Sequence, residues 1–306
     1  NTIDPTRQTA SIFVDGVYVA GGRPQVVPSA IERVEIIRGP QAALFGRSTF
    51  GGAINYIQRR PRAVPSGEVN LLAATESEQR IDATLEGPLF SPALTGRLSG
   101  AYHRKGAQFT SALDGADLGE ERDTVLSASL YFTPGESFRS IVSATWYEND
   151  DGPPAASQVG RSAFNCGPFG GTFRTICGEI PAPAPSANVA TVPAALSTVL
   201  ARFGNGIVGA MKSEFGLDRE ALRASWINEF DIPGTAVTLT AITGYNDEEV
   251  NHLADGDNSG AERFAIATQR KFEDFSQELR ASASAFDERL QWTLGVNYID
   301  QEYTEY

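Results

Sequence analysis

Polar and apolar residues alternate with a period of two through most of the chain after residue 67. In the first clear example, polar residues at positions 80, 82, 84 and 86 alternate with Ile81, Ala83 and Leu85. Side chains of a β-strand point alternately to opposite faces, so the pattern predicts strands with one polar and one apolar face. The same alternation returns in seven later runs, whose apolar positions are Leu98, Gly100 and Tyr102; Leu126, Ala128, Leu130 and Phe132; Val142, Ala144 and Trp146; Leu222, Ala224, Trp226 and Phe230; Val237, Leu239 and Ala241; Phe275, Leu279 and Ala281; and Trp292, Leu294, Val296 and Tyr298.

The connections between these runs alternate in length. Nine strands are predicted, with the first at about Gly67–Thr75. From residue 90 onward, the connections are in turn short turns (90–95, 133–137, 232–235, 286–290) and long polar segments (106–122, 149–218, 248–272). Outer-membrane barrels have this asymmetry, with an apolar face toward lipid and a polar face toward the lumen. The pattern therefore predicts part of a transmembrane antiparallel β-barrel.

Aromatic residues flank the short turns, as an interfacial girdle would: Phe132, Phe138, Phe230, Phe286 and Trp292. Core packing in a soluble β-protein is the alternative interpretation of these aromatics. The chain has no apolar run long enough for a membrane-spanning helix and no signal peptide at its start.

The first 62 residues have a different pattern. Ser11–Val14 and Val17–Val19 read as strands joined by the two-residue turn Asp15-Gly16, and Pro28 is suited to starting a short helix over 29–32. Two apolar runs, at 34–37 and 53–57, are separated by a segment rich in glycine. A compact α+β unit is predicted.

Charge is unevenly distributed between these two parts. Residues 1–62 contain eight arginines and four acids, whereas the whole chain has a net charge of −13, which leaves −17 on the remainder. The acidic balance excludes nucleic acid as a partner, since phosphate binding needs clustered Lys and Arg. A basic insert inside an acidic shell would dock by charge complementarity.

Four sequence blocks in the first part carry a family resemblance. They are F-V-D-G-V at 13–17, V-E-I-I-R-G-P at 34–40, L-F-G-R-S at 44–48 and G-G-A-I-N at 51–55. In order and spacing they resemble the last part of the plug domain of TonB-dependent outer-membrane receptors. The resemblance implies that residues 1–62 are the C-terminal part of a plug and that residues 63–306 begin the barrel.

Receptors with a plugged lumen close with about twenty-two strands. Nine strands are fewer than half of such a barrel, so the sequence is expected to be a fragment. The segment that binds TonB would then lie before residue 1, and the closing strands would lie after residue 306.

The resemblance also implies roles for individual residues. Ligand contacts are expected at the outer apex of the plug, from Tyr18, Arg23 and Gln25, although an ordinary exposed loop is the alternative for each. A structural or gating role is implied for the plug motif, which comprises Glu35, Arg38, Gly39, Pro40, Gly46, Arg47, Gly51, Gly52 and Asn55. Glu35 and Arg38 are expected to pair with barrel charges and keep the plug seated.

The longest connection, 149–218, contains the two cysteines. Cys166 and Cys177 are consistent with a disulfide in an oxidising compartment, whereas a metal pair lacks a nearby His to complete a ligand set. Helical spacing of apolar residues predicts a helix over 196–203. Ligand gating or capture and lineage-specific decoration both stay open for this loop.

Other candidate sites are weak. The acidic segment 255–260 matches half of a calcium loop, but Arg263 and Ile266 occupy ligand positions, so an external turn is the preferred interpretation. His103 is expected to line the lumen, with haem binding as the alternative. The acids at 247–249 are expected to be solvated at a strand's loop end. No catalytic grouping, metal site or cofactor is predicted.

The predicted function is TonB-dependent active transport across the bacterial outer membrane, and the chain is not expected to be an enzyme. A ferric siderophore is the first candidate ligand, while oligosaccharides, vitamin B12 and aromatic compounds stay open. The expected partners are TonB, outer-membrane lipid and an extracellular small molecule, with an iron chelate as first candidate. A passive porin is the rival within the membrane, and a secreted β-rich adhesion or enzyme domain is the soluble rival.

Overall fold

The computed structural model describes residues 10–19, 26–40, 49, 51–155, 164–166, 176–179, 186–187, 215–256, 265–286 and 289–305. Strands form nearly all of its regular structure, and they are arranged in sheets of four, nine and three strands. Among the described residues, no helix is long and apolar enough to cross a membrane. The predicted helix over 196–203 and most of the calcium-like segment lie outside the described residues.

The four-stranded sheet, called the small sheet below, comes from the start of the chain. Its strands are β1 (Ala10–Val14), β2 (Val17–Val19), β3 (Ile31–Arg38) and β4 (Gly52–Gln58), in the order β2-β1-β4-β3. Strand β1 runs parallel to β4, and the other two pairs are antiparallel. Asp15 and Gly16 join β1 to β2 with φ angles of 49° and 82°, the left-handed values that a type I′ hairpin turn requires. The predicted hairpin is confirmed.

The short helix predicted over 29–32 is wrong in type and extent. The structure has a single 3₁₀ turn, Pro28–Ala30, and Ile31 already begins β3. The physical reason is that Ile31 pairs with Gln58 of β4, and the Arg59 amide donates to the Ala30 carbonyl at 2.9 Å. These sheet contacts satisfy the backbone groups that a longer helix would have used internally.

The nine-stranded sheet, called the large sheet, is an antiparallel meander. Its order is β16-β15-β14-β13-β11-β10-β7-β6-β5, which confirms the predicted number of strands. The bounds are β5 (Ser66–Ala73), β6 (Gln79–Ser91), β7 (Leu94–Lys105), β10 (Glu121–Phe132), β11 (Phe138–Asp151), β13 (Gly216–Asp231), β14 (Val237–Asp255), β15 (Ala265–Ala285) and β16 (Leu290–Glu305). A third sheet of short strands, β8 (Phe109–Ser111), β9 (Asp117–Leu118) and β12 (Ser186–Ala187), lies among the long connections.

The two faces of the large sheet are divided as predicted. On β10, Leu126 and Leu130 are 52% and 47% exposed, whereas the intervening Ser127 and Ser129 are buried. Neighbouring strands have the same distribution: leucine, valine and tryptophan are exposed, and serine, threonine and asparagine are buried. This is the reverse of the distribution in a soluble protein. The small sheet packs on the polar face, so the apolar face is the one left for lipid.

The aromatics near the short turns lie on the outside as well. Phe132 and Phe138 face each other edge-on at 6.5 Å across the turn at 133–137, and Phe138 pairs with Phe230 on the next strand. Phe132, Phe230 and Trp292 are about two-fifths exposed, and Phe286 is more exposed still. The alternative of soluble core packing is therefore wrong.

Two strands are much longer than predicted. The segment 248–272 was predicted as a long loop, but β14 continues to Asp255 and β15 already begins at Ala265, with 19 and 21 residues respectively. A barrel strand needs only about 9–11 residues to cross a bilayer. Beyond the bilayer both faces meet water, so the outward positions lose their apolar signal although the backbone ladder continues.

The depth of a charge on the apolar face should determine its cost. Leu126 lies near the middle of β10, and Leu130 lies two residues from the strand's end at the short turn. We expect Leu126→Arg to destabilise the folded barrel by about 2–4 kcal/mol and Leu130→Arg by about 0–1 kcal/mol, because arginine reaches water more easily near the interface. Equilibrium unfolding of the full-length protein in lipid vesicles measures both. Glu136→Arg, in the exposed turn, is the control, and equal costs at 126 and 130 would contradict the face and depth assignment.

Candidate functional site

The 3₁₀ turn of the small sheet packs on the polar face of the large sheet. Val27 and Ala30 form a buried cluster with Val125, Tyr147 and Ala221, which come from three adjacent strands of the large sheet. Beside them, the Ser29 hydroxyl lies 2.7 Å from the Thr84 hydroxyl, which donates to Ser99 at 2.9 Å. The small sheet thus supplies hydrogen-bond partners to buried polar groups of the large sheet, which is also called the wall below.

The β1–β2 hairpin docks on β14 next to this turn. The Asn246 amide donates to the Tyr18 carbonyl at 3.0 Å, although these residues are 228 positions apart. Gly244 lies against Val17, and a Cβ on Gly244 would come within 2.5 Å of a Val17 methyl group. Only glycine leaves the space that Val17 occupies.

The predicted apex residues are only partly described. Tyr18 uses its main chain for docking, and its half-buried ring packs edge-on against Phe13 at 5.9 Å. Arg23 and Gln25 lie outside the described residues. Ligand contact by these three residues stays a prediction.

The plug-motif residues hold the small sheet together. Asn55 accepts a hydrogen bond from the Gly16 amide at 3.1 Å and donates to Glu35 at 3.4 Å. Gly52 has a φ of 145°, and a Cβ there would collide with the Ile37 carbonyl, so glycine is required. Gly39, in the left-handed region at a φ of 84°, donates to the Gly51 carbonyl at 3.2 Å and closes the connection before Pro40.

The expected pairing of Glu35 and Arg38 with barrel charges is not formed among the described residues. Glu35 accepts instead from Arg33, its neighbour on β3, at 2.9 Å. Arg38 is exposed and makes no ion pair with the described part of the chain. Gly46 and Arg47, the other two motif residues, lie outside the described residues. A gating role for the motif stays a prediction.

The segment 59–62, which connects the two sheets, is held by a buried arginine of β7. Arg97 is 5% exposed, and its guanidinium donates to the carbonyls of Arg59 and Arg60 and to the Glu86 carboxylate. Thr95 donates to the Pro61 carbonyl at 3.2 Å. Sequence reasoning assigned no role to these barrel residues, and no local signal marks them.

An Arg-Glu-Arg cluster is buried on the inner face of β13 and β14. Glu248 lies 2.8 Å from Arg223 and 3.9 Å from Arg219. The expectation that Glu248 is solvated at a loop end is wrong, because β14 continues past it. In the register, Glu248 is opposite Ala221, so both arginines are its diagonal neighbours on the same face.

His103 lies on the inner face, which confirms its predicted position along the lumen. Its Nε2 is 3.1 Å from Glu78 and its Nδ1 is 3.4 Å from Asp123. Asp123 also accepts from the Tyr147 hydroxyl at 2.8 Å and from Asn149 at 3.0 Å. Within the described residues, no group of three or more His, Cys, Asp or Glu side chains is arranged to hold a metal ion.

Cys166 and Cys177 are joined by a disulfide in the long connection between β11 and β13, with their Cα atoms 5.2 Å apart. The Asn165 side chain accepts from the Cys177 amide at 2.6 Å and donates to the Cys177 carbonyl at 3.0 Å. These two bonds fix the main chain on both sides of the disulfide. The loop's role in ligand capture stays open.

Asp15 is a half-buried acid at the hairpin turn. Its carboxylate accepts from the Gln58 amide at 2.8 Å, and its own amide donates to the Tyr56 carbonyl at 2.9 Å. Burial raises the pKa of Asp15 to about 6, because removal from water disfavours the charged form more than the Gln58 hydrogen bond favours it.

Comparisons with known proteins agree with this architecture. A model of the TonB-dependent receptor plug domain matches residues 3–53. The ferrioxamine B receptor of Salmonella typhimurium is 31% identical over 106 residues, which cover 33% of this chain and 15% of the receptor. The ferrichrome outer membrane transporter/phage receptor of Escherichia coli is 44% identical over 73 residues, which cover 23% of this chain and 10% of the transporter. The chain therefore spans far less than two thirds of the length of either relative.

Solved structures of similar fold cover nearly the whole chain. The ferric yersiniabactin uptake receptor of Yersinia pestis superposes with a TM-score of 0.69 at 15% identity, over 97% of this chain and 40% of that one. The siderophore receptor PiuA of Acinetobacter baumannii gives 0.71 at 17% identity, over 96% and 38%. At these identities the likeness shows the fold, and it confirms the predicted class of a partial barrel with a plug fragment.

The raised pKa of Asp15 should make the small sheet's stability depend on pH. The folded state keeps the proton to a higher pH than the unfolded state, so stability falls as pH rises from about 4 to about 6 and then stays low. We expect Asp15→Asn to remove this dependence and to stabilise the small sheet above pH 6 by up to about 3 kcal/mol. Chemical denaturation of the full-length protein at about pH 4 and about pH 7.5 measures it. A variant that is no more stable than wild type at the higher pH would contradict the assignment.

Removing the charge of Glu248 should be costly. Glu248→Gln leaves two buried arginines without a counter-charge, and we expect a loss of about 3–5 kcal/mol in the free energy of unfolding. The control is Glu302→Gln, at an exposed position of β16, which should change stability by about 0.5 kcal/mol or less. Equal effects of the two substitutions in equilibrium unfolding would show that the cluster contributes nothing.

Proposed function

We propose that this chain, which belongs to the TonB-dependent outer-membrane receptors, is the plug-and-wall part of an active transporter that imports a ferric siderophore. The family consists of receptors and transporters of the outer membrane, not of enzymes. In the proposal, residues 1–62 form the C-terminal part of the plug and residues 63–306 begin the barrel.

The observation that carries the proposal is the docking of the small sheet on the polar face of the large sheet. Hydrogen bonds from Asn246 to Tyr18 and between Ser29 and Thr84 join the two, and Arg97 holds the connection between them. The small sheet covers a wall of buried Ser, Thr and Asn. This arrangement suits a pore that is closed at rest and opens only during transport. A passive porin has no use for such a cover.

The siderophore assignment is supported by the relatives' names. Receptors for ferrioxamine B and ferrichrome match this chain in sequence, and the ferric yersiniabactin receptor matches it in fold. TonB is the proposed source of energy, because work from outside the outer membrane is needed to move a docked plug. We place ligand contacts at Tyr18, Arg23 and Gln25, in β2 and in the sequence that follows it.

Uptake of iron chelates tests the function. The full-length gene is expressed in a host that lacks its own siderophore receptors, and radioactive iron is supplied as ferrioxamine B, ferrichrome or a catecholate chelate. We expect accumulation of iron from at least one chelate at ten times the background or more, and the same strain without TonB should accumulate none. Cells of the strain that lacks TonB should still bind the iron chelate, without accumulating iron.

Two outcomes would contradict the proposal. Uptake that does not depend on TonB would indicate a passive pore. Binding and uptake of vitamin B12, an oligosaccharide or an aromatic compound, with no iron chelate taken up, would leave the transport class intact and overturn the siderophore assignment.

A further inference from the structure

Besides the buried 3₁₀ turn, the small sheet is attached to the wall at two places, by contacts of different kinds. At its end, the segment 59–62 is held by buried ionic hydrogen bonds. At its hairpin, Asn246 of β14 donates a neutral hydrogen bond to the Tyr18 carbonyl, and Val17 packs against Gly244. Hydrogen bonds to charged groups are about twice as strong as neutral ones, so the two attachments should differ in strength.

The attachment at 59–62 captures three successive carbonyls. Arg97 donates to the carbonyls of Arg59 and Arg60, the latter at 2.9 Å, and Thr95 donates to that of Pro61. Glu86 holds Arg97 at 2.7 Å, and both side chains are almost wholly buried. All of these wall residues lie on the adjacent strands β6 and β7.

Side chains of the connecting segment add further ion pairs. Arg62 lies 3.2 Å from Glu86, and Arg59 lies 3.5 Å from Glu68. The guanidinium of Arg60 lies 5.3 Å from the centre of the Tyr131 ring. Moving this segment would therefore break these ion pairs and leave the buried Arg97 without its two carbonyl partners, which is expensive.

The hairpin contact is looser. Val17 fits the space beside Gly244, and Asn246 reaches the Tyr18 carbonyl. A cavity of about 40 Å³ remains between the hairpin and the wall, lined by Val17, Val19, Arg223 and Asn246. It is large enough for water, which could replace the hydrogen bond between Asn246 and the Tyr18 carbonyl when the hairpin leaves.

We propose that Arg97 is a positioning residue that makes segment 59–62 the fixed point of the plug, about which the β1–β2 hairpin detaches from β14 during transport. The inference rests on the proposed function and adds where the plug moves and where it stays. The opening then forms beside β13 and β14, while the plug remains tied to β6 and β7 and can return to the same place.

Two single cysteines test which attachment opens. Val17→Cys and Thr95→Cys each replace a buried residue, one at the hairpin and one under Pro61. The native Cys166 and Cys177 are paired and do not compete for the label. Cells that express the full-length protein are treated with a membrane-impermeant maleimide that enters the periplasm through a porin, with and without TonB and with each iron chelate.

We expect TonB-dependent labelling of Cys at 17, at least five times that in cells without TonB, and no such increase at 95. An increase at both positions would show that the whole plug leaves and would overturn the fixed point. No increase at 17 would overturn detachment of the hairpin. Chelate uptake by wild type, measured in parallel, reports separately on the proposed function.

A ligand-free measurement tests the role of Arg97 itself. Trypsin must polarise the Arg59 carbonyl to cut between Arg59 and Arg60, and that carbonyl is the one Arg97 holds. In purified full-length protein, Arg97→Leu should speed this cut at least tenfold, and Arg97→Lys should have a smaller effect. Arg122→Leu, at an exposed ion pair on β10, is the matched control.

Unchanged cleavage in Arg97→Leu would show that the segment does not depend on Arg97, and the proposal would fail. A general loss of folding is recognised because the Arg97→Leu protein would then be cut at many sites. In that case, trypsin cleavage of the Arg97→Lys protein is the deciding measurement, because lysine keeps the charge but lacks the planar guanidinium that binds two carbonyls. Selective cleavage after Arg59 supports the fixed point, and wild-type behaviour overturns it.

Discussion

The polar face of the large sheet is the constraint on which the rest of the structure depends. Nine strands place apolar side chains outward and bury serine, threonine, asparagine and charged side chains on the inside. Buried polar groups are costly unless they are hydrogen-bonded, and an apolar core cannot cover them. The small sheet covers them with its own polar groups and with an apolar patch around Val27 and Ala30, and so forms part of the interior.

The opposite charges of the two parts of the chain form ion pairs where the two sheets join. Arg59, Arg60 and Arg62 end the basic first part of the chain, and they meet Glu68, Glu229 and Glu86 of the acidic remainder. Arg97 completes this region from the wall side by binding main-chain carbonyls rather than acids alone. Electrostatics therefore fixes one end of the small sheet, whereas shape complementarity around Gly244 positions the other.

Local patterns were sufficient for the architecture. Alternation with period two predicted the nine strands and their two faces, because each strand in the bilayer has lipid on one side and the interior on the other. The Asp15-Gly16 turn was predictable because few residue pairs adopt its left-handed angles. The predictions failed where local signals end: at Ile31, where sheet pairing replaced the expected helix, and along β14 and β15, where the outer face meets water.

By itself, then, the sequence determined the strand pattern, the orientation of the faces, the hairpin turn and the family resemblance, since each depends on neighbours a few positions away. Only the tertiary structure decided the partners across the interface: the carbonyls that Arg97 holds, the arginines on Glu248 and the amide that reaches Tyr18. Those partners are separated by up to 228 positions. Strand register and the seating of the small sheet bring them together, and no short segment encodes either.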